Sequence, residues 1–454
     1  MRNLKYLSKY AVMVTLCLSC LSAFSQNHEE QIIIGERETI YSNILHEERE
    51  ILIHVPKSHY ETPGMNYPVL ILLDGDGHFE GMVGMLTSLA SHLYDPLCPE
   101  MIVVGIPNTD RLRDLTPSHM DDGEGEYSFF ANSGGGDQFM KFVEFELLKH
   151  IDANYPTAPY RVMVGHSLGG LMVINTLFRT PHLFDSYIAI DPSLWYNDKY
   201  LLNDIWELLD LKDYSEENLY VSAANTLEEE MTYETIESDT TEQSEHIRAI
   251  LEFSKEVSKD YSNYPRTAWN YYPDDTHGSV PLISEYDGIR FLFDWFKEDK
   301  RKVLEADKDV PSDEVLSWVV DYSKNLSKVF KSEILPDEQW VNYLGYHFMG
   351  LEDYNKAYEF FRLNLESYPS SPNCYDSMGE YYRTIDEHEK SDEYYKLAEI
   401  LIREQREKEE EDLGVEIVID EFDDDIEIAE PMEVIEMEVD QEEEIPAPEI
   451  DDED

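Results

Sequence analysis

Apolar positions along this chain fall into two alternating kinds of pattern. Short, nearly unbroken apolar runs are separated by longer stretches in which apolar residues recur every three or four positions. The first kind reads as strand and the second as amphipathic helix. Near the start, Gln31–Ile34 and Ile51–Val55 predict two antiparallel strands. Tyr67–Leu73 is a continuous apolar run stopped by Asp74-Gly75, as in a strand buried on both faces. Met101–Ile106, Tyr160–Val164, Ser186–Ile190, Asn218–Ser222 and Thr267–Tyr272 repeat the theme. Helical patterns lie between them at Gln138–Asn154, Leu168–Arg179, Glu242–Tyr261 and Val280–Phe296. Strands alternating with helices predict an α/β fold with a mostly parallel, doubly wound sheet over residues 26–300. Such sheets collect their chemistry at the C-terminal ends of the strands.

Strand signals stop after Lys300. Leu344, Gly345, Phe348, Ala357 and Phe361 are matched 34 positions later by Met378, Gly379, Tyr382, Ser391 and Tyr395. A helix pair repeating at this period resembles the tetratricopeptide repeat. Two units are fewer than a free-standing solenoid requires. Residues 303–402 are therefore expected to form an all-α helical-repeat segment that packs on the preceding domain, with a protein partner as one candidate use. Residues 403–454 hold 26 acids against three bases, and acids alternate with Val, Ile and Met around Pro431, Pro446 and Pro448. That composition predicts an acidic, disordered tail.

Charge narrows the function classes. The net charge of -62 repels phosphate backbones and argues against nucleic-acid binding. Arg2, Lys5 and Lys9, the apolar run Tyr10–Leu21 and small residues at Ala23 and Ser25 predict a signal peptide over residues 1–25. A lipidated Cys20 is the lesser alternative. Export to the periplasm or beyond follows, with no stable membrane insertion after cleavage, since no second apolar stretch is long enough. Cys17 and Cys20 leave with the signal. The two distant cysteines that remain, Cys98 and Cys374, make no disulfide framework.

The chemistry centres on Gly165-His166-Ser167-Leu168-Gly169-Gly170, a GxSxG motif with a strand pattern before it and a helix pattern after it. In the α/β-hydrolase fold this turn holds a nucleophilic serine at a strained apex. The N–H of Leu168 opens the helix and faces a developing oxyanion. The second donor is expected from the loop after Leu73, at the N–H of Asp76. A serine needs a base, and in this class it follows the last strand. His277, beside Gly278 and ahead of the final helix, fits in place and order, whereas His119, His166, His182 and His246 do not. The acid is expected after the strand ending near Ser222–Ala224, where Glu228 leads Glu229 and Glu230. Asp191 is the main competitor and Asp239 a weaker one.

Several stretches together carry a family resemblance: Pro68–Phe79, Val104–Asn108 with Arg111–Pro117, the serine turn, Asp191–Trp195 and Asp274–Pro281. On them, roughly residues 35 to 298 resemble the esterase D / enterochelin esterase-like family of α/β-hydrolases, which includes feruloyl esterases and mycolyltransferases. The resemblance implies a serine carboxylic-ester hydrolase working through an acyl-serine intermediate, with Ser167 and His277 as nucleophile and base. It implies a small-molecule or glycan-linked ester as substrate and no metal or organic cofactor. Arg111 and Arg113 fall where substrate would sit and are candidates for an anionic or catecholate group, with pairing to Asp110 and Asp114 as the alternative. Asp191 stands where relatives often carry serine, and residues 225–230 reproduce no single family acid, so the acid stays open. Acyl transfer at the same serine and a non-catalytic scaffold are the rival readings.

Overall fold

The computed structural model describes residues 32–413, apart from 62–64, 92–95, 122, 124–127, 229–230, 234 and 298–299. The expected signal peptide and most of the expected acidic tail, from residue 414 on, lie outside the described residues.

The architecture is an eight-stranded sheet with flanking helices, followed by an all-helical region. The strands are β1 Glu36–Ser42, β2 Glu47–His54, β3 Tyr67–Leu73, β4 Ile102–Ile106, β5 Thr157–His166, β6 Ser186–Ile190, β7 Asn218–Ala224 and β8 Arg266–Tyr272. Their order in the sheet is β1-β2-β4-β3-β5-β6-β7-β8. β1–β2 and β2–β4 pair antiparallel, and every later neighbour pairs parallel. This is the mixed sheet of the α/β-hydrolase fold. The first strand falls later than Gln31–Ile34. Ile32 and Ile33 stay exposed, and the sheet begins at Glu36.

Helices α1 Gly75–Ala90, α2 Leu168–Arg179, α3 Tyr196–Leu211, α4 Glu245–Val257 and α5 Val280–Leu292 cover the sheet. α1 departs from the sequence expectation. The stretch Asp74-Gly-Asp-Gly has the composition of a loop, yet helix begins at Gly75. Gly75 is needed there for a close approach, because a Cβ would lie 2.7 Å from the Gly105 carbonyl carbon on β4. Side chains of β3 alternate between two cores. Val69, Ile71 and Leu73 join a cluster with Met163 and Met172, and Leu70 and Leu72 join another with Val103 and Val162. Both faces are apolar because both are covered.

The helical region comprises α6 Ser312–Phe330, α7 Glu338–Gly350, α8 Tyr354–Ser367, α9 Pro372–Thr384 and α10 His388–Leu413. α7–α8 and α9–α10 form hairpins. A Cβ on Gly345 would meet the Phe361 ring at 2.5 Å, and one on Gly379 would meet the Tyr395 ring at 2.9 Å. The matched glycines thus admit the matched aromatics. α10 runs to Leu413, so the first residues assigned to the acidic tail are helical. α6 ties this region to the sheet domain: Leu326 and Phe330 belong to the core containing Tyr160 and Phe293, and the Tyr322 hydroxyl donates to the Phe296 carbonyl at 2.6 Å. Among the described residues, no helix is long and apolar enough to cross a membrane.

Candidate active site

Strand β5 delivers Ser167 to the C-terminal edge of the sheet, and α2 leaves immediately after it. The turn is tight. A Cβ on Gly165 would sit 2.5 Å from the Gly169 backbone, and one on Gly170 would sit 3.0 Å from Pro192. Ser167 adopts φ 61° and ψ -115°, a strained conformation for a residue with a side chain. Two hydrogen bonds hold it there: Ser167 N–H to Ile190 O at 2.9 Å and Ser193 N–H to Ser167 O at 3.0 Å. Its hydroxyl lies 3.3 Å from the Ser193 hydroxyl.

His277 follows β8, at the position its sequence order predicts. Its loop is anchored to the end of β7, where Asn225 N–H donates to Asp275 O at 2.8 Å and the Asn225 amide donates to Pro273 O at 2.9 Å. The His277 ring packs against His166, with centroids 4.5 Å apart, and so lies over the serine turn. Its Nδ1 is 2.6 Å from Asp191 Oδ2.

The carboxylate in this contact is that of Asp191, the main competitor, and not of Glu228. Asp191, directly after β6, stands beside the imidazole, whereas Glu228 is exposed on its loop. The physical reason is reach. Asp191 adopts φ 41°, which turns the chain sharply enough for the carboxylate to cross toward β7. There Oδ1 accepts the Ala224 N–H at 2.8 Å. The Asp191 side chain is fully buried. Burial acts to raise its pKa, but hydrogen bonds from His246 and His277 and the Ala224 N–H override it and hold the carboxylate well below its usual range. Asp239 is engaged elsewhere, accepting from Thr241 and Ser244.

His246, which its place in the sequence argues against, reaches the same oxygen: its Nε2 lies 3.0 Å from Asp191 Oδ2. Nothing in the local pattern of α4 marks this residue. Together, Asp191, His246 and His277 bring three candidate ligand atoms within 4.8 Å of one another. The two nitrogen–oxygen separations are those of hydrogen bonds, shorter than the roughly 3.3 Å between two ligands of one tetrahedral zinc.

Both expected oxyanion donors sit at helix starts. Leu168 is the first residue of α2 and Asp76 the second of α1, where backbone N–H groups lack intrahelical partners. Arg111 and Arg113, expected as candidates for substrate contact, are engaged in ion pairs. Arg111 forms a two-pronged pair with Asp74 at 2.6 and 2.9 Å and also donates to His166 O at 3.2 Å. Arg113 bonds Glu47 and Asp114. Asp74 also accepts from Asn108 at 2.7 Å. Arg111 and Asp74 thus brace the serine turn from below, and Arg113 locks β2 to the segment after β4. Two further histidines stand in the row. His78 pairs with buried Glu285 at 3.3 Å, and that carboxylate raises its pKa. Burial, then the neighbouring His277 and His78, pull His166 down to about 4.

The sheet order, the strained serine turn and the histidine–carboxylate pair beside it define an α/β-hydrolase of the esterase type. The chain belongs to the family described as "Putative esterase", whose model matches residues 42–275. Among characterised relatives, it is 29% identical over 172 residues to the ferri-bacillibactin esterase BesA of Bacillus subtilis, covering 34% of this chain and 58% of that protein. It is 26% identical over 150 residues to the siderophore triacetylfusarinine C esterase of Aspergillus fumigatus, covering 33% and 51%. The match spans about half the length of these relatives. In three dimensions it is similar to an IroE-like serine hydrolase from Shewanella oneidensis, with 28% identity and a TM-score of 0.58 over 73% of this chain and 99% of that one. An uncharacterised protein from Capnocytophaga ochracea shares the fold over 80% of this chain, with a TM-score of 0.54 at 16% identity.

Proposed function

We propose that this protein is a serine carboxylic-ester hydrolase acting through an acyl-serine intermediate, with Ser167 as nucleophile, His277 as base and Asp191 as the acid. The observation that carries the reading is the Asp191–His277 hydrogen bond, formed beside a strained serine. Asp191 fixes the proton of His277 on Nδ1 and leaves Nε2 free to accept the Ser167 proton. The hydroxyl turns from Ser193 toward Nε2 and attacks the ester carbonyl. The N–H groups of Leu168 and Asp76 hold the oxyanion at the ends of two helices. His277 returns the proton to the leaving alcohol, then activates water to release the acid.

The substrate class that the relatives favour is an ester-linked siderophore or its fragments. Ser167→Ala should abolish hydrolysis of p-nitrophenyl acetate and labelling by a fluorophosphonate, with an unchanged circular dichroism spectrum. Activity retained in that variant would reject the nucleophile. A panel of tri-ester siderophores, feruloyl esters and acetylated sugars then separates the substrate classes. The basic, apolar and small-residue pattern of residues 1–25 supports export, which N-terminal sequencing of the mature protein tests. The 34-residue match and its glycine–aromatic contacts support tetratricopeptide-like units, and a pull-down with the full chain, against a variant disrupted at Gly345, tests a partner role.

A further inference from the structure

Three donors from three different elements converge on one buried carboxylate. Asp191 Oδ1 takes the Ala224 N–H at the end of β7. Oδ2 takes both His277 Nδ1, from the loop after β8, and His246 Nε2, from the first turn of α4. The two imidazoles meet at 83° with centroids 5.5 Å apart, so they approach the shared oxygen along separate directions. From this geometry we infer that His246 is a positioning residue for the reaction: it fixes and moderates the Asp191 carboxylate through which His277 is oriented. This inference rests on the serine-hydrolase reading above.

The placement of His246 is itself secured. Ser244, one residue before α4, donates to Asp239 at 2.7 Å and accepts from Arg248 Nε at 2.8 Å, while Arg248 Nη2 reaches Thr241 O at 2.7 Å. These bonds hold the start of the helix against the site. The other ring nitrogen, Nδ1, is buried and among the described residues has no hydrogen-bond partner. That suits the neutral tautomer in which Nε2 carries the proton and Nδ1 is bare. The requirement follows from where the acid originates. Asp191 hangs from β6 at a positive φ, and a carboxylate reaching sideways from that turn needs restraint on both oxygens to stay aligned with His277.

A donor on Oδ2 also lowers the basicity of the carboxylate. Without it the negative charge is less dispersed and the carboxylate is freer to turn away from His277. On its other side His277 packs against His166, which in turn meets His78.

The test compares His246→Ala, His246→Leu and His246→Gln in the full-length protein. Ala and Leu should each lower kcat about tenfold with KM changed less than about twofold. Gln carries an amide N–H at the distance of Nε2 and should recover most of kcat. Independently of turnover, the downfield Nδ1–H proton resonance of His277, assigned by its loss in His277→Asn, should shift when His246→Ala is introduced into Ser167→Ala protein. If Leu matches wild type in kcat and resonance, the ring supplies packing alone and the proposal falls. If Ser167→Ala keeps full activity, the hydrolase reading falls instead, while the resonance still decides the role of His246.

Discussion

Asp191 Oδ2 and His277 Nδ1 lie 2.6 Å apart although their residues are carried by strands two places apart in the sheet. The intervening strand, β7, offers its last N–H, at Ala224, to the other carboxylate oxygen. Asp191→Asn should therefore reverse the hydrogen-bond preference at Nδ1 and favour the wrong tautomer of His277. Such a change costs about 10³-fold or more in kcat. Glu228→Gln, on the exposed loop, should leave kcat within about twofold. Steady-state kinetics with one p-nitrophenyl ester distinguishes the two, and a large loss in Glu228→Gln would reinstate that residue.

Stability should fall on the acid side through His166. Its folded pKa of about 4 lies below the ordinary value of 6.5, so the unfolded chain takes up the proton first as pH drops. The contribution is complete above about 6.5 and is lost between there and about 4, at up to about 1.4 kcal/mol per pH unit. Urea melts of wild type and His166→Gln at pH 5 and 7.5 should show the smaller pH difference in the variant. Equal differences would show that His166 does not govern this window.

The helical region should be a structural requirement of the hydrolase domain. The Phe330 ring stands 5.4 Å from Tyr160 and 5.7 Å from Trp295, inside the core on one face of the sheet. Phe330→Ala should destabilise the sheet domain by about 3 kcal/mol. A chain cut at residue 300 should bind a hydrophobic dye and lose activity at a lower temperature than the full chain. Thermal melts followed by residual esterase activity check both.

Asp74 and Arg111 should matter through the shape of the serine turn. Arg111→Ala leaves the largely buried Asp74 carboxylate with Asn108 as its remaining side-chain partner among the bonds described, and removes the donor to His166 O. A loss of about 2–4 kcal/mol in stability is expected, with kcat reduced more than KM raised. A rise in KM for anionic esters, with stability unchanged, would instead make Arg111 a substrate contact.

Much of this was legible in the chain itself. The buried strands were marked by unbroken apolar runs, and the serine turn by glycines whose missing side chains match the 2.5 Å approach at Gly165. His277 was marked by its order after the last strand. Less legible was the positive φ at two aspartates that no glycine motif announces. Asp74 and Asp191 both adopt it, and in each case a composition typical of a loop concealed either the start of a helix or a sideways-reaching carboxylate. The arginines illustrate a second limit. Sequence placed Arg111 and Arg113 at the right edge of the sheet, but their ion partners Asp74 and Glu47 come from distant segments that only the folded register brings near.

With Asp191 as the proposed acid, its suspension from the sixth strand also carries an evolutionary consequence. Once the carboxylate enters from that side, the connection beyond Ala224 is released from supplying a catalytic group. It can drift, lengthen or accumulate surface glutamates without touching turnover. Variation among relatives should therefore concentrate in that connection, making it a natural place for diversity in ligand recognition while the proton relay stays intact.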